Sequence, residues 1–411
     1  MTNKTNTTEA TNWEPPKTVW NAMFLSIFFA NMAMNMGQQM SNSLLSLYAN
    51  SMGTPADQIG QLMSMFAVTA LILRFISGPA MNAFNRKYLL AGSMGFMLVA
   101  YLIFSYAQSI AAAMGLEPIL ILKVGRLCQG VGQAFGNSCC LTIVSDTLPK
   151  DKFTTGMGYY ACAQVIAQSI GPTVGVVMRD AFGYNLTYII NAGVMAVAIV
   201  ASLRVKMAPR EKKPFKLNLN NMIAKEALVP AGVMFFIHTG FTSINAFLLV
   251  YAEERGIAGG SFFFTIYALT LLMTRPVVGR LTDKWGFVKV AVPAVMMTVC
   301  SLVMIGFANN TVMLLSAAFV NAFGYGAVQP MLQSLCMKSV TSDRRGSASS
   351  TNYIGMDIAM LIGPSLCGAV ADMMGYTPAM WLVMTIPVFV GLIGILLFRK
   401  KIGSIEKAFR G

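Results

Sequence analysis

The stretch from Gly279 to Gly286 reads GRLTDKWG and separates two apolar runs of the chain. It holds three charged residues between two glycines, and Arg275 closes the apolar run that precedes it. A weaker copy occurs 201 residues earlier, where Arg74-Phe-Ile-Ser-Gly78 matches Arg275-Pro-Val-Val-Gly279. The return of a charged loop at such a spacing indicates that one structural unit is used twice.

The composition places that unit in a membrane. The chain of 411 residues is 55% hydrophobic and 11% charged, whereas soluble domains carry about 25% charged residues. Apolar segments of about 20 residues are long enough to span a bilayer. Twelve such segments predict an all-α integral membrane protein with twelve transmembrane helices, near residues 19–49, 57–80, 88–108, 119–147, 155–178, 184–203, 227–252, 259–279, 287–307, 311–337, 346–370 and 377–398.

The formal net charge of +14 reflects topology rather than nucleic-acid binding. With twelve spans, 24 of the 30 lysines and arginines fall on the side that both termini share, and only Arg179 and Arg255 fall on the other. Basic loops remain in the cytoplasm during insertion, so both termini are predicted to be cytoplasmic. The lipid bilayer is therefore the expected partner of this charge, and no nucleic acid is expected.

No metal centre, cofactor or enzymatic site is predicted. The seven cysteines all fall within the spans, and His238 is the only histidine, so the spacing of zinc ligands is missing. No nucleophile–base pair or phosphate-binding loop is recognisable either.

The chain divides into two similar halves. Gly171-Pro172 recurs as Gly363-Pro364 at an offset of 192, and Tyr48-Ala49 recurs as Tyr251-Ala252 at 203. We predict a disordered cytosolic tail (1–17), an N-terminal six-helix bundle (18–203), a basic cytosolic linker (204–226), a C-terminal six-helix bundle (227–399) and a cytosolic tail (400–411). Two pseudo-symmetric six-helix bundles are a transporter architecture.

Polar side chains recur at helical spacing on four of the spans. Unsatisfied amides in hydrocarbon are costly, so these faces should meet either neighbouring helices or a water-filled cavity. In the first case they form interhelical hydrogen bonds, and in the second they bind a solute. The candidates for solute binding are Asn35, Gln38, Asn42, Arg126, Gln129, Gln133, Tyr160, Gln164, His238 and Asn245.

Two charged residues break the repeat. Asp357 is the only acidic residue that the segment boundaries place deep in a span, and its counterpart is Val165. Arg126 has an apolar counterpart too. An intramembrane ionisable group is a functional candidate, so we predict a polar centre between the halves in which Asp357 carries protons and His238 shares the proton path. Arg126 is predicted either to tune the pKa of Asp357 or to hold an anionic substrate. The alternative is that Asp357 is a structural partner of an arginine or lysine, and that His238 is a hydrogen-bonded cavity residue.

A further group of residues is predicted to control the conformational change. Pro172 removes a backbone donor and permits a bend in its helix. Charge pairs between loops would favour one conformation over another. The gating candidates are Gly78, Arg86, Asp146, Arg275, Gly279, Asp283, Lys284, Gly171 and Pro172.

These motifs resemble those of a known family. The loop 279–286 resembles the signature loop of the major facilitator superfamily, which lies between helices two and three and again between eight and nine. Arg126-x-x-Gln129-Gly130-x-Gly132 resembles the fourth-helix motif of that superfamily. The stretch Gly158 to Val176 resembles the fifth-helix motif of its proton-coupled antiporters, although Ala167 and Val176 stand where that motif has glycine.

The chain as a whole resembles the bacterial drug:proton antiporter-like efflux permeases. That resemblance implies a monomeric transporter of the bacterial inner membrane that exports a small-molecule solute in exchange for protons, by alternating access. Proton-coupled uptake of a small metabolite, sugar or organic anion on the same fold is the alternative. A non-transporting membrane receptor is a further alternative, which the repeated polar faces disfavour.

Overall fold

The computed structural model describes residues 18–148, 153–204, 223–340 and 345–410. The predicted N-terminal tail and most of the predicted linker lie outside these ranges. The described residues are almost entirely helical, with α1 Ala22–Ser51, α2 Ala56–Ala83, α3 Arg86–Ser105, α4 Ala107–Met114, α5 Pro118–Thr147, α6 Phe153–Arg204, α7 Leu228–Glu254, α8 Phe262–Trp285, α9 Phe287–Gly306, α10 Thr311–Phe323, α11 Tyr325–Lys338, α12 Arg345–Met374, α13 Pro378–Leu397 and α14 Arg399–Arg410.

Asparagines begin several of these helices. The side chain of Asn21 accepts a hydrogen bond of 2.9 Å from the amide of Phe24 at the start of α1. Asn310 does the same for Met313 at the start of α10. Each cap satisfies one of the amides that a helix leaves unpaired in its first turn, which fixes where the helix begins.

Helix length and hydropathy confirm the twelve-span prediction. Eight stretches of the described residues are long and apolar enough to cross a bilayer. One of them, Ala163–Arg204, bends at Gly183, where a φ of 75° favours glycine, so it supplies two crossings. The remaining three crossings are α1, α5 and α8, which are 30, 30 and 24 residues long. Within α8, the stretch Phe262–Thr274 is itself apolar.

Close helix contacts repeat between the two halves. In the first half α6 packs along α1, and in the second α12 packs along α7. A Cβ on Gly171 would lie 2.9 Å from the Cβ of Gln39 in α1. A Cβ on Gly363 would lie 2.8 Å from the carbonyl oxygen of Thr239 in α7. The sequence repeat of Gly-Pro is thus a repeat of helix packing, because only a residue without a side chain allows each pair to approach so closely.

Among the described residues, the two halves meet mainly along α2 with α12, α6 with α8 and α1 with α7. The contact of α2 with α12 is so close that a Cβ on Gly60 would lie 2.3 Å from the carbonyl oxygen of Pro364. We call the end of the bundle where α1 and α7 finish the Glu253 end, and the opposite end, where α14 lies, the Glu406 end.

The tail after residue 399 forms an amphipathic helix that returns to the bundle. Ile402 is fully buried, and Glu406 Oε1 accepts a hydrogen bond of 2.9 Å from the amide of Phe287. Phe287 is the first residue of α9 and directly follows Gly286, whose φ is 85°. The C-terminal helix therefore caps α9 at the end of the GRLTDKWG stretch.

Candidate functional site

A small cavity lies between the halves near the middle of the bundle. Its volume is about 40 Å³, which is enough for a few water molecules. The first half contributes residues from α1, α2 and α5, and the second contributes residues from α7 and α12. The lining residues are Asn42, Met63, Arg126, His238, Thr242, Asn245, Ala246, Met360 and Pro364.

Arg126 forms the charged wall of this cavity and is 1% exposed. One terminal nitrogen donates to Gln129 Oε1 at 2.6 Å, and the other donates to Asn42 Oδ1 at 2.8 Å. The guanidinium also lies 5.2 Å from the centre of the Phe66 ring. These contacts hold the group in place by amide oxygens and a π face, none of which carries a negative charge.

His238 forms the opposite wall and is 5% exposed. Its Nδ1 lies 2.6 Å from the hydroxyl of Tyr325, and the roles of donor and acceptor depend on the tautomer. The ring stacks on Phe241, whose own ring stacks on Tyr325 with centroids 3.8 Å apart. The other ring nitrogen, Nε2, has no hydrogen-bond partner among the described residues. The aromatic neighbours therefore fix the orientation of an imidazole that still has one unused polar atom.

Asp357 does not join Arg126 in a polar centre. Its carboxylate forms a bidentate ion pair with Arg74, in which Nε donates to Oδ2 and a terminal nitrogen donates to Oδ1 at 3.0 Å. The ring of Tyr353 lies 4.9 Å from the Arg74 guanidinium. The sequence identified Arg74 only as the first residue of the weaker loop copy, and 283 positions separate it from Asp357.

The ion pair and the cavity lie at different depths. Arg74 is 18 residues from the start of α2, which places it about 27 Å along that helix from the Glu253 end. Met63, which lines the cavity, is about 10 Å along the same helix. The Arg74–Asp357 pair therefore joins the halves on the Glu406 side of the cavity.

The other predicted binding residues are distributed around this centre. Gln38 donates to Asn42 Oδ1 at 3.0 Å and so supports the oxygen that also accepts from Arg126. Asn35 donates to Asn31 on its own helix at 2.8 Å and 2.9 Å. Gln133 is partly buried and Tyr160 is buried, whereas Gln164 is exposed. None of these last three is among the cavity-lining residues.

Part of the predicted gate falls outside the described side chains. This applies to Gly78, Asp146, Arg275, Gly279 and Asp283, whose helix backbone alone is described.

Of the remaining gating candidates, Lys284 is exposed and Arg86 donates to the carbonyl oxygen of Met81. Gly171 and Pro172 are buried where α6 meets α1.

Polar contacts that the sequence did not reveal close the Glu253 end. Arg179 of the first half pairs with Glu253 of the second at 2.7 Å, and Asn50 donates to Glu254 at 2.9 Å. Arg179 was recognised only as one of two basic residues on its side of the membrane. The scarcity of basic residues on that side was a signal that Arg179 has a specific role. The sequence alone does not reveal which residue it pairs with.

Comparisons with known proteins agree with this fold. The sequence model of the Major Facilitator Superfamily matches residues 27–259 and 230–408. The staphylopine export protein of Staphylococcus aureus is 24% identical over 409 residues, which is 92% of this chain and 96% of that protein. The multidrug resistance protein MdtG of Rahnella is 24% identical over 353 residues, or 81% of this chain and 82% of that protein.

A solved structure shows the same architecture. The nucleoside transporter NupG superposes with a TM-score of 0.77 at 14% identity, and the match covers 91% of this chain and 99% of that one. The family model spans both halves of the chain, and the fold agrees with it along nearly the whole length. This protein is therefore a member of the major facilitator superfamily of membrane transporters.

Proposed function

We propose that this transporter exports a small organic solute in exchange for protons, by alternating access. The observation that carries the proposal is the Arg74–Asp357 ion pair, which joins the two halves beside the central cavity. A neutral Asp357 cannot form that ion pair, so protonation removes a contact that exists only while the halves are close. A ligand shifts a conformational equilibrium by its differential affinity for the two states, and the proton is the ligand in this case.

The position of the pair gives the coupling a direction. Loss of the contact on the Glu406 side of the cavity favours opening at that end. If the Glu406 end faces the cytoplasm, a proton that enters from outside returns the carrier to its cytoplasm-facing state, where the proton leaves and solute binds. That sequence is antiport. Asp357 lies one helical turn from Met360, which lines the cavity, so opening of the Glu253 end would give protons a short route to the carboxylate.

The orientation in the membrane is part of the proposal. The excess of basic residues on the side of the termini supports a cytoplasmic Glu406 end. Two relatives that are named for export or drug resistance, in Staphylococcus aureus and Rahnella, support the bacterial inner membrane and the outward direction. The proposal takes a single chain as the transport unit.

Proteoliposomes that contain a pH-sensitive dye test the coupling. A panel of drugs, siderophore-like metabolites and organic anions is added on one side, and proton movement is recorded for the wild type and for Asp357→Asn. We expect solute-driven proton movement in the wild type and its loss in Asp357→Asn, while exchange of labelled for unlabelled solute continues. Asp372→Asn is the matched control, because Asp372 is an exposed carboxylate on the same helix.

Two outcomes would contradict the proposal. If Asp357→Asn transports as well as the wild type and with the same pH dependence, Asp357 is not the proton carrier. If solute and protons cross in the same direction, the protein is a proton-coupled importer.

A further inference from the structure

We infer that the solute is an organic anion whose carboxylate pairs with Arg126 in the first half while a second polar group reaches His238 in the second. This inference rests on the proposed transport function and adds the substrate class. It is drawn from the charge balance and the unused polar atoms of the central cavity.

The charge of Arg126 has no carboxylate partner among the described residues. Its guanidinium is buried, and its described hydrogen bonds go to the neutral side chains of Asn42, Gln129 and Met63. Within the described part of the chain, the carboxylates that form ion pairs do so with other arginines. Asp357 pairs with Arg74, and Glu253 pairs with Arg179. A buried charge without a counter-ion is costly, so the arrangement favours a ligand that brings the negative charge.

The geometry around Arg126 suits a carboxylate. Its Nε has no partner among the described residues, although it is fully buried. Asn42 is held in turn by Gln38 and Gln39, which fixes one side of the guanidinium before any ligand arrives. A guanidinium presents its donors as a planar fork that matches a carboxylate, and a pre-ordered fork loses less entropy on binding. A cationic solute would instead meet an unscreened positive charge at this wall.

The opposite wall offers a polar atom and apolar surface. Tyr325 holds one nitrogen of His238, and the other nitrogen is buried without a partner in the described chain. Met63 and Met360 supply flexible apolar surface on the two sides. A solute with a carboxylate, a short apolar body and a second polar group would therefore satisfy both walls at once.

This mode of binding would also close the carrier around its solute. Arg126 belongs to the first half and His238 to the second, so one molecule in contact with both holds the halves together. In the closed conformation described here, the cavity of about 40 Å³ is tightly limited. A solute of ordinary size therefore requires the halves to separate slightly, and the two polar contacts would resist further separation.

The substrate class is tested by comparing the affinity of the protein for organic acids with its affinity for their neutral amides. The probes are benzoate with benzamide and hippurate with hippuramide, and benzylamine represents a cation of similar size. Binding to the purified full-length protein is measured by calorimetry and by the shift of the unfolding temperature. We expect each acid to bind roughly tenfold to a hundredfold more tightly than its amide, as is typical of a charge-assisted hydrogen bond.

Three variants test whether the preference for acids depends on Arg126. Arg126→Gln should bind acid and amide alike, whereas Lys123→Gln should keep the preference of the wild type. Lys123 is one turn earlier on α5, where it donates to Gln61 outside the cavity. Arg126→Lys keeps the charge without the fork, so it should keep a reduced preference for the acid. That variant also covers the case in which Arg126→Gln does not fold.

The inference is overturned if acids and amides bind equally, if benzylamine binds best, if no probe shows an acid-selective shift, or if the preference for acids survives in Arg126→Gln. These readouts need no membrane gradient, so they are independent of the proton experiment. An acid preference that depends on Arg126, together with unchanged proton coupling in Asp357→Asn, would retain the substrate class and reject the proposed coupling.

Discussion

At the scale of single residues, the pairing of Arg74 with Asp357 gives both residues a role in the contact between the two halves. A carboxylate in a membrane span is costly unless it is paired, and its partner comes from the other half of the chain. The guanidinium of Arg74 also lies over the ring of Tyr353, which is one helical turn before Asp357 on α12. The pair is therefore a connection between halves, and its strength depends on how closely the halves approach.

A double-mutant cycle measures that connection. Arg74→Gln and Asp357→Asn should each lower the unfolding temperature in detergent, because each leaves a mostly buried charge without its partner. The double variant should recover part of the loss, with a coupling of about 0.5–3 kcal/mol. Additive effects of the two substitutions would show that the pair contributes no interaction energy in solution.

At the scale of elements, glycines determine how the helices of each half pack. The contacts of Gly171 with α1 and of Gly363 with α7 occur at equivalent places in the two halves. Small residues are needed there because transmembrane helices associate through close packing and not through the hydrophobic effect. The proline that follows each glycine loosens the backbone of the same helix.

Gly363→Ala should destabilise the second half. The new Cβ would lie 2.1 Å from Thr242 Oγ1 and 2.8 Å from the carbonyl oxygen of Thr239. The threonine hydroxyl can rotate but the backbone of α7 must move, which typically costs about 1–3 kcal/mol. Thermal unfolding in detergent measures the loss, and Gly232→Ala on α7 is the control, since no atom lies within 4 Å of its added Cβ. An equal effect of both substitutions would contradict this account of the packing.

At the scale of the whole molecule, contacts between the halves lie on both sides of the cavity. Arg179 with Glu253 and Asn50 with Glu254 join the halves at the Glu253 end. Ser365 donates to Ser64 at 2.9 Å nearer the cavity, and Arg74 with Asp357 lies beyond it. The described conformation is thus closed at the Glu253 end, and transport requires these contacts to break in turn.

Removal of the outermost contact should favour an open Glu253 end. Arg179→Gln loses the ion pair with Glu253, which joins the halves, whereas Asp180→Asn removes only a partner on the same helix. Spin labels at the exposed positions Ser51 and Ala258, in a background without the native cysteines, report the distance across that end. We expect the distribution of distances to move outward in Arg179→Gln and to remain unchanged in Asp180→Asn. An unchanged distribution in Arg179→Gln would mean that this pair does not hold the end closed.

Much of this architecture could be predicted from the sequence because the bilayer imposes simple rules. Twelve helices followed from the length of the apolar spans and their lack of charge. The repeated Gly-Pro and charged-loop motifs predicted two similar halves. The family predicted from the motifs is the one whose sequence model matches the chain. Among the predicted binding residues, Asn42, Arg126, His238 and Asn245 do line one cavity. Their helical spacing indicated polar faces, and polar faces in a membrane must meet inside the protein.

The partners of the charged residues could not be predicted in the same way. A sequence indicates that the charges of Asp357 and Arg126 need compensation, but which atoms provide it depends on how the two bundles are docked. In the tertiary structure Asp357 forms an ion pair with Arg74, and Arg126 donates hydrogen bonds to neutral amide side chains. Tyr325 forms a hydrogen bond with His238. The sequence by itself determined the fold, because hydrophobic spans and close-packing glycines act locally. Only the tertiary structure decided which charge is balanced, because electrostatic pairing depends on distance in space.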